Sequence, residues 1–169
     1  SPLRKKLIVD TFDSDPWQNM KTWNHPEWKH RNIPVVHPTK LELLQNKKGI
    51  YRTFSSDVKQ MQYLIDQHIK NTFVLYEDAT KYVGSRLTDE MRTFVYDTKQ
   101  KNVDLMFIFH SLASVPPELV RVADMLTLFK TGDSLRKIET KYDNPDVAKL
   151  FEHVQKQESR YYNATINLN

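Results

Sequence analysis

The sequence predicts an α/β fold in which a mostly parallel sheet is covered by helices. Two observations carry this reading. Several strand-like runs are apolar throughout rather than alternating, as in Thr72–Tyr76 (TFVLY) and Val103–Phe109 (VDLMFIF). Such runs belong to strands buried on both faces, the usual condition of a parallel sheet. These runs also take turns with segments of helical period, the order expected of βα units. The 169 residues suit one domain, and a chain of this size buries about 70% of its unfolded surface, enough for a core without covalent staples.

Lys6–Thr11 (KLIVDT) is a short apolar run that ends around Asp10 and reads as the first buried strand. Residues 12–39 show no period and hold Pro16, Pro26, Pro34 and Pro38 with Trp17, Trp23 and Trp28, so they read as an irregular Trp/Pro-rich insertion. Within it, Pro34–Val36 can form a brief strand. Gly49–Phe54 (GIYRTF) alternates and is rich in β-formers. Ser55 or Ser56 then caps a helix running to Lys70, with Val58, Met61, Ile65 and Ile69 on one face. After the Thr72–Tyr76 strand, a helix from Ser85 to Thr98 turns Leu87, Met91, Phe94 and Val95 inward. Asp89 and Glu90 sit in its first turn, where carboxylates suit the helix dipole. After the Val103–Phe109 strand, Pro116–Ala123 reads as a short helix with proline in its first turn. Asp124–Lys130 (DMLTLFK) is the next strand. Asn144 caps a last helix from Pro145, with Val147, Leu150, Phe151 and Val154 on one side, and the chain after Tyr162 is expected to fray.

Composition excludes several classes of function. There is no cysteine, so disulfides and thiolate metal sites are ruled out. No apolar run nears the ~18 residues of a membrane span, and no signal-type apolar stretch follows the N-terminal charges, which gives a cytoplasmic expectation. Lys and Arg number 25 against 21 Asp and Glu, a net charge of +4. That balance permits contact with nucleic acid but does not itself argue for it.

The most informative chemistry is at the end of the Thr72–Tyr76 strand, which delivers Glu77 and Asp78. Ligands of open α/β sheets bind outside the C-terminal strand ends. Two adjacent carboxylates there can divide two tasks. One can hold Mg²⁺ through its water shell, and the other can orient or deprotonate an attacking water. A strand simply leaving into solvent through two acids is the plain alternative. The Val103–Phe109 strand is followed by His110, Ser111 and the Ser114–Val–Pro–Pro turn. On a neighbouring strand, His110 would reach the same site.

This order of motifs resembles the FtsK–HerA superfamily of P-loop ATPases, including the zonular-occludens-toxin-like proteins of phages and mobile elements. The likeness lies in the strand ending at Asp10, the strand ending in Glu77-Asp78-Ala-Thr, the strand ending in His110-Ser-Leu-Ala-Ser-Val-Pro-Pro, and the following Leu119–Phe129 segment. It runs from about Lys5 to Thr131. The resemblance implies a RecA-like sheet, incomplete at its N-terminal edge, with ATP and Mg²⁺ as cofactors. It implies a motor role in DNA translocation, export or virion assembly, and action as a homo-oligomer. By position, Glu77 falls on the magnesium-linked acid of the Walker B strand, Asp78 on the catalytic acid and His110 on the sensor. Asp10 is a nucleotide-side candidate, and Arg121 and Arg86 are candidates for an arginine finger.

Two departures stand beside the likeness. The acids come in the order Glu-Asp where the family has Asp-Glu. No G-x-x-x-x-G-K-[ST] phosphate loop is present, the three glycines being Gly49, Gly84 and Gly132. In the family that loop precedes the strand occupied here by Lys6–Asp10. A fragment, an incomplete chain and a domain that never had the loop all satisfy this pattern. The alternative of another class is a non-catalytic α/β binding or scaffold module. Two smaller signals remain. His25, His30 and His37 near Glu27 match no zinc spacing. Trp17, Trp23 and Trp28 with Lys21, Lys29 and Arg31 can stack on bases, although packing against the sheet or a neighbouring subunit is the preferred account.

Overall fold

The computed structural model describes residues 5–10 and 33–168. The expected tryptophan segment, with His25, Glu27 and His30, lies almost wholly outside those residues. The packing of the chain forms two compact units.

The first unit comprises residues 1–82 and 88–108. Its sheet has four strands: β1 (Lys5–Val9), β2 (Gly49–Thr53), β3 (Thr72–Tyr76) and β4 (Val103–Phe107), in the order β2-β1-β3-β4. Every pairing is parallel, with Lys5 opposite Gly49 and Thr72, and Thr72 opposite Val103. The predicted α/β class and mostly parallel sheet are therefore present. The brief strand at Pro34–Val36 reduces to a single parallel bridge from Val35 to Arg52. Residues Pro38–Leu44 form a 3-10 helix that the sequence reading left without structure. Its Pro38, Leu41 and Leu44 are buried, the three-residue spacing that eclipses in a 3-10 helix. His37, one of the candidate metal ligands, caps this helix instead, accepting from the Thr39 amide at 3.4 Å.

Helix α1 (Val58–His68) is capped by Asp57, whose carboxylate accepts from the Gln60 amide at 2.9 Å. The expected serine cap moves outward by one step, because Ser55 Oγ accepts from the Asp57 amide. Helix α2 (Asp89–Tyr96) is capped by Thr88 and so starts later than expected, and α3 (Thr98–Lys101) follows it. Asn71 and Asn102 adopt the left-handed conformation just before β3 and β4, and they share a side-chain hydrogen bond of 2.9 Å. Asparagine tolerates this conformation better than most residues. Leu7, Val9, Val74, Met61, Ile65, Met91 and Phe94 form the core on one side of the sheet. Each such side chain contributes about 1.5–3 kcal/mol by burial.

The opposite side is different. Asp104, Met106 and Ile108 are exposed, the last two by 49% and 38%, beside the half-buried Phe73 and Leu75. The expectation that 103–109 is buried on both faces is thus corrected. Among the described residues β4 pairs with β3 alone, and Asp104 and Met106 on one of its faces are exposed.

The second unit comprises residues 83–87 and 109–169. Strand β5 (Met125–Phe129) lies in a separate two-stranded antiparallel sheet with β6 (Asn163–Asn167). The tail expected to fray is therefore ordered, since Ala164 and Ile166 pair with Leu128 and Leu126. The Leu168 amide also donates to the Asp124 carbonyl at 2.9 Å. Around this pair lie α4 (Pro117–Val122), α5 (Leu135–Lys141), which the sequence reading omitted, and α6 (Pro145–Gln155). Leu119, Val120, Ile138, Tyr142, Val147, Leu150, Phe151 and Val154 are buried in this unit.

Candidate active site

The parallel register brings the ends of all four strands to one edge. There the Asp10 amide donates to the Thr53 carbonyl at 2.9 Å, and the Glu77 amide donates to the Val9 carbonyl at 3.1 Å. The Ile108 amide donates to the Tyr76 carbonyl at 3.0 Å, and the Ala79 amide donates back to the Ile108 carbonyl at 2.7 Å. Glu77 and Asp78 are therefore held between the ends of β1 and β4. This is the strand-end position where α/β sheets bind their ligands.

Asp78 leaves the strand with φ 44° and ψ 62°, a left-handed backbone. Its Oδ1 accepts a hydrogen bond from Thr80 Oγ1 at 2.9 Å. For most L-residues this conformation costs roughly 1–2 kcal/mol, and aspartate bears it better through local hydrogen bonds. Strain of this kind concentrates at functional sites. Both acids are half-buried, so their carboxylates are supported yet reachable.

A buried polar layer underlies the edge. Asp10 is 1% exposed and faces Arg52, which is 2% exposed, with Oδ2 and Nη1 3.5 Å apart. The Tyr82 hydroxyl donates to the Asp10 carbonyl. The Tyr76 hydroxyl donates to Gln62 Oε1 at 2.6 Å, which ties β3 to α1. Tyr76 meets Tyr82 edge-on at 5.6 Å between centroids and stacks with Phe107 at 5.0 Å. Burial raises the Tyr82 phenol above its ordinary range, and the charges of Asp10, Asp78 and Glu77 raise it further. Tyr82 thus senses the same three carboxylates that the sequence singled out, and it keeps its proton to donate. Burial likewise raises Tyr76, against the opposing effect of its bond to Gln62.

The predicted residues divide between the units. Asp10, Glu77 and Asp78 share one edge of the first. His110, Arg86 and Arg121 belong to the second, and all three are exposed. Asp10 has its carboxylate buried against Arg52. Sequence reasoning missed Arg52 and Tyr82. Nothing local in the sequence announces the buried partner of Arg52, which lies 42 positions away.

Among the described residues, no group of three or more His, Cys, Asp or Glu is arranged to hold a metal ion. Two adjacent carboxylates suit a Mg²⁺ that keeps most of its waters and shares phosphate oxygens, and not a closed protein cage. Among the described residues, no helix is long and apolar enough to cross a membrane.

No family model matches the chain, and no curated protein matches it. Solved structures do. The genome packaging NTPase B204 from Sulfolobus turreted icosahedral virus 2 in complex with AMPPCP aligns with a TM-score of 0.64 and 15% identity, over 96% of this chain and 76% of that one. The same NTPase in complex with sulfate gives 0.62 and 17% identity, over 100% and 93%. B204, the DNA-packaging ATPase from Sulfolobus turreted icosahedral virus, gives 0.57 and 11%, over 99% and 93%. At these identities the likeness is one of architecture: the chain has the fold of these viral packaging NTPases along nearly its whole length.

Proposed function

We propose that this chain is the acid-bearing part of an ATP-driven motor domain that handles DNA during virion assembly. The observation that supports this most is the joint placement of Glu77 and Asp78 between the ends of β1 and β4, with Asp78 in a left-handed turn. In this reading Asp78 orients or deprotonates the attacking water, and Glu77 would hold a Mg²⁺ ion through its water shell. When bound, that ion would neutralise charge on the transferring phosphoryl group. Asp10 and Arg52 brace the edge from beneath. His110 is the sensor side chain, and Arg121 or Arg86 serves a neighbouring subunit of a homo-oligomer as the finger. A cytoplasmic setting accompanies this reading.

The place of β4 at the end of the described strand order accords with the same proposal. A strand added beside β4 would bring a preceding phosphate loop to the edge that holds Glu77 and Asp78. That loop supplies backbone N–H groups, a lysine and a hydroxyl. The two reachable carboxylates, Glu77 and Asp78, repel a triphosphate unless such groups offset them. The 169 residues alone are therefore expected to turn over little ATP. With an upstream strand, phosphate loop and helix supplied, turnover should appear. Asp78→Asn should then lower kcat by about 100-fold, the usual scale of a general base, with nucleotide affinity unchanged. Glu77→Gln should weaken Mg²⁺-nucleotide binding. Robust hydrolysis by residues 1–169, or undiminished turnover in the restored Asp78→Asn protein, refutes the assignment. One observation favours the second reading, a non-catalytic binding module: the sequence contains no phosphate-loop motif.

A further inference from the structure

The turn that follows His110 is tied down by a residue to which the proposed function gives no part. Asp133 lies between β5 and α5. Its carboxylate accepts from Ser111 Oγ at 2.8 and 3.0 Å, from the Ala113 amide at 3.2 Å and from Thr131 Oγ1 at 2.9 Å. The carbonyls of the same turn are taken from the other side. Lys141 Nζ donates to the Ala113 carbonyl at 2.6 Å, and the Tyr142 hydroxyl lies 2.5 and 2.7 Å from the Leu112 and Val115 carbonyls, which share its one proton. Two backbone bonds, Ser114 amide to Ser111 carbonyl and Val115 amide to Leu112 carbonyl, close the turn itself. Residues 111–115 thus have donors and acceptors fixed by three side chains from the β5–α5 region, all within the second unit.

We infer that Asp133 is a positioning residue: it sets the Ser111–Val115 turn and thereby the direction in which His110 is presented. This rests on the reading of His110 as the sensor side chain. Hydrogen bonds to an ionised carboxylate are roughly twice as strong as neutral ones. One carboxylate that bridges Ser111, Ala113 and Thr131 therefore outweighs any other single contact of the turn. Burial would raise the Asp133 carboxyl, but its bonds from Ser111, Ala113, Thr131 and Leu112 prevail and hold it below the usual aspartate value. The groups facing it are the Lys141 ammonium, lowered by burial and by Lys137, and the Tyr142 phenol, raised by burial and by Asp133 itself. The clamp is thus complete above the ordinary aspartate range and opens as pH falls through the depressed value.

Amide hydrogen exchange followed by NMR on the full chain tests this, in the wild type, Asp133→Asn and Asp133→Glu. The Ala113 amide should exchange on the order of 10–100-fold faster in Asp133→Asn, the loss expected for a charge-assisted bond. The His110 side chain should pass from one rotamer to an average of several, while α6 and β3 amides stay unchanged. Asp133→Glu should restore part of the protection. The acid-induced rise in Ala113 exchange should be lost in Asp133→Asn. Where turnover is measured, Asp133→Asn should lower kcat by about 10–100-fold, the cost of a misplaced group, with KM held within twofold. Unchanged Ala113 exchange, or acceleration shared by the whole second unit, overturns the inference. The motor reading fails by a separate result, turnover indifferent to Asp78, which leaves the exchange contrast intact.

Discussion

Replacing Asp10 by alanine should destabilise the first unit far more than its place just past the end of β1 would suggest. Asp10 and Arg52 are both almost fully buried, and their charged atoms lie 3.5 Å apart. Removing one member leaves the other charge in a poorly solvated place, and a buried pair broken in this way loses about 3–5 kcal/mol. A domain of this size has only about 5–15 kcal/mol to lose. The Tyr82 hydroxyl bonds to the Asp10 backbone carbonyl, so that contact survives the substitution and does not confuse the measurement. Urea unfolding, with a probe in β1 or β3 to isolate the first unit, gives the free energy. The double variant Asp10→Leu with Arg52→Met removes both charges and should recover most of the loss, because an apolar replacement of a buried pair is often neutral. A loss below about 1 kcal/mol for Asp10→Ala, the scale of an exposed pair, would refute the reasoning. So would a double variant whose cost is the sum of the singles.

Two more outcomes test the edge. Asp78→Val should cost about 1–2 kcal/mol because a β-branched residue resists φ 44°, while Asp78→Gly should stay within a few tenths by the same thermal-melt measurement. Tyr76→Phe should cost about 1–3 kcal/mol in denaturant unfolding, since it leaves the buried Gln62 side chain without its hydroxyl donor.

Much of the first unit was legible because its strands announce themselves locally. TFVLY between Asn71 and Glu77 is apolar, short and bounded, and it became β3 with the expected limits. Asn144-Pro145 opened α6 as read. What failed depended on partners. The run VDLMFIF reads as buried on both faces, but an edge position leaves Asp104 and Met106 outside. The chain after Tyr162 reads as a fraying terminus, yet it forms β6, with Asn163, Thr165 and Asn167 exposed while Ala164 and Ile166 turn in. That period of two was readable. α5 carried its own signal in Ser134 with Leu135, Ile138 and Tyr142 at helical spacing. At the candidate site the acids were visible because two adjacent carboxylates at a strand end are conspicuous. Arg52, Tyr82 and Asp133 act through residues 42, 72 and 20–22 positions away, and no local pattern encodes contacts of that length.

The position of β4 bears on how the protein behaves in a crowded cell. Among the described residues β4 ends the strand order, with Met106 exposed on one face, and a strand at a sheet edge is a template on which another chain can pair. Asp104 sits in the same exposed row. Stacking copies of the strand in register would set like charges about 4.8 Å apart at every step, a repulsion that grows with each added chain. The strand is also only five residues long, so it offers few backbone bonds to a stranger. One carboxylate and a short reach let this edge stay receptive to a single well-matched neighbour while discouraging growth into a stack.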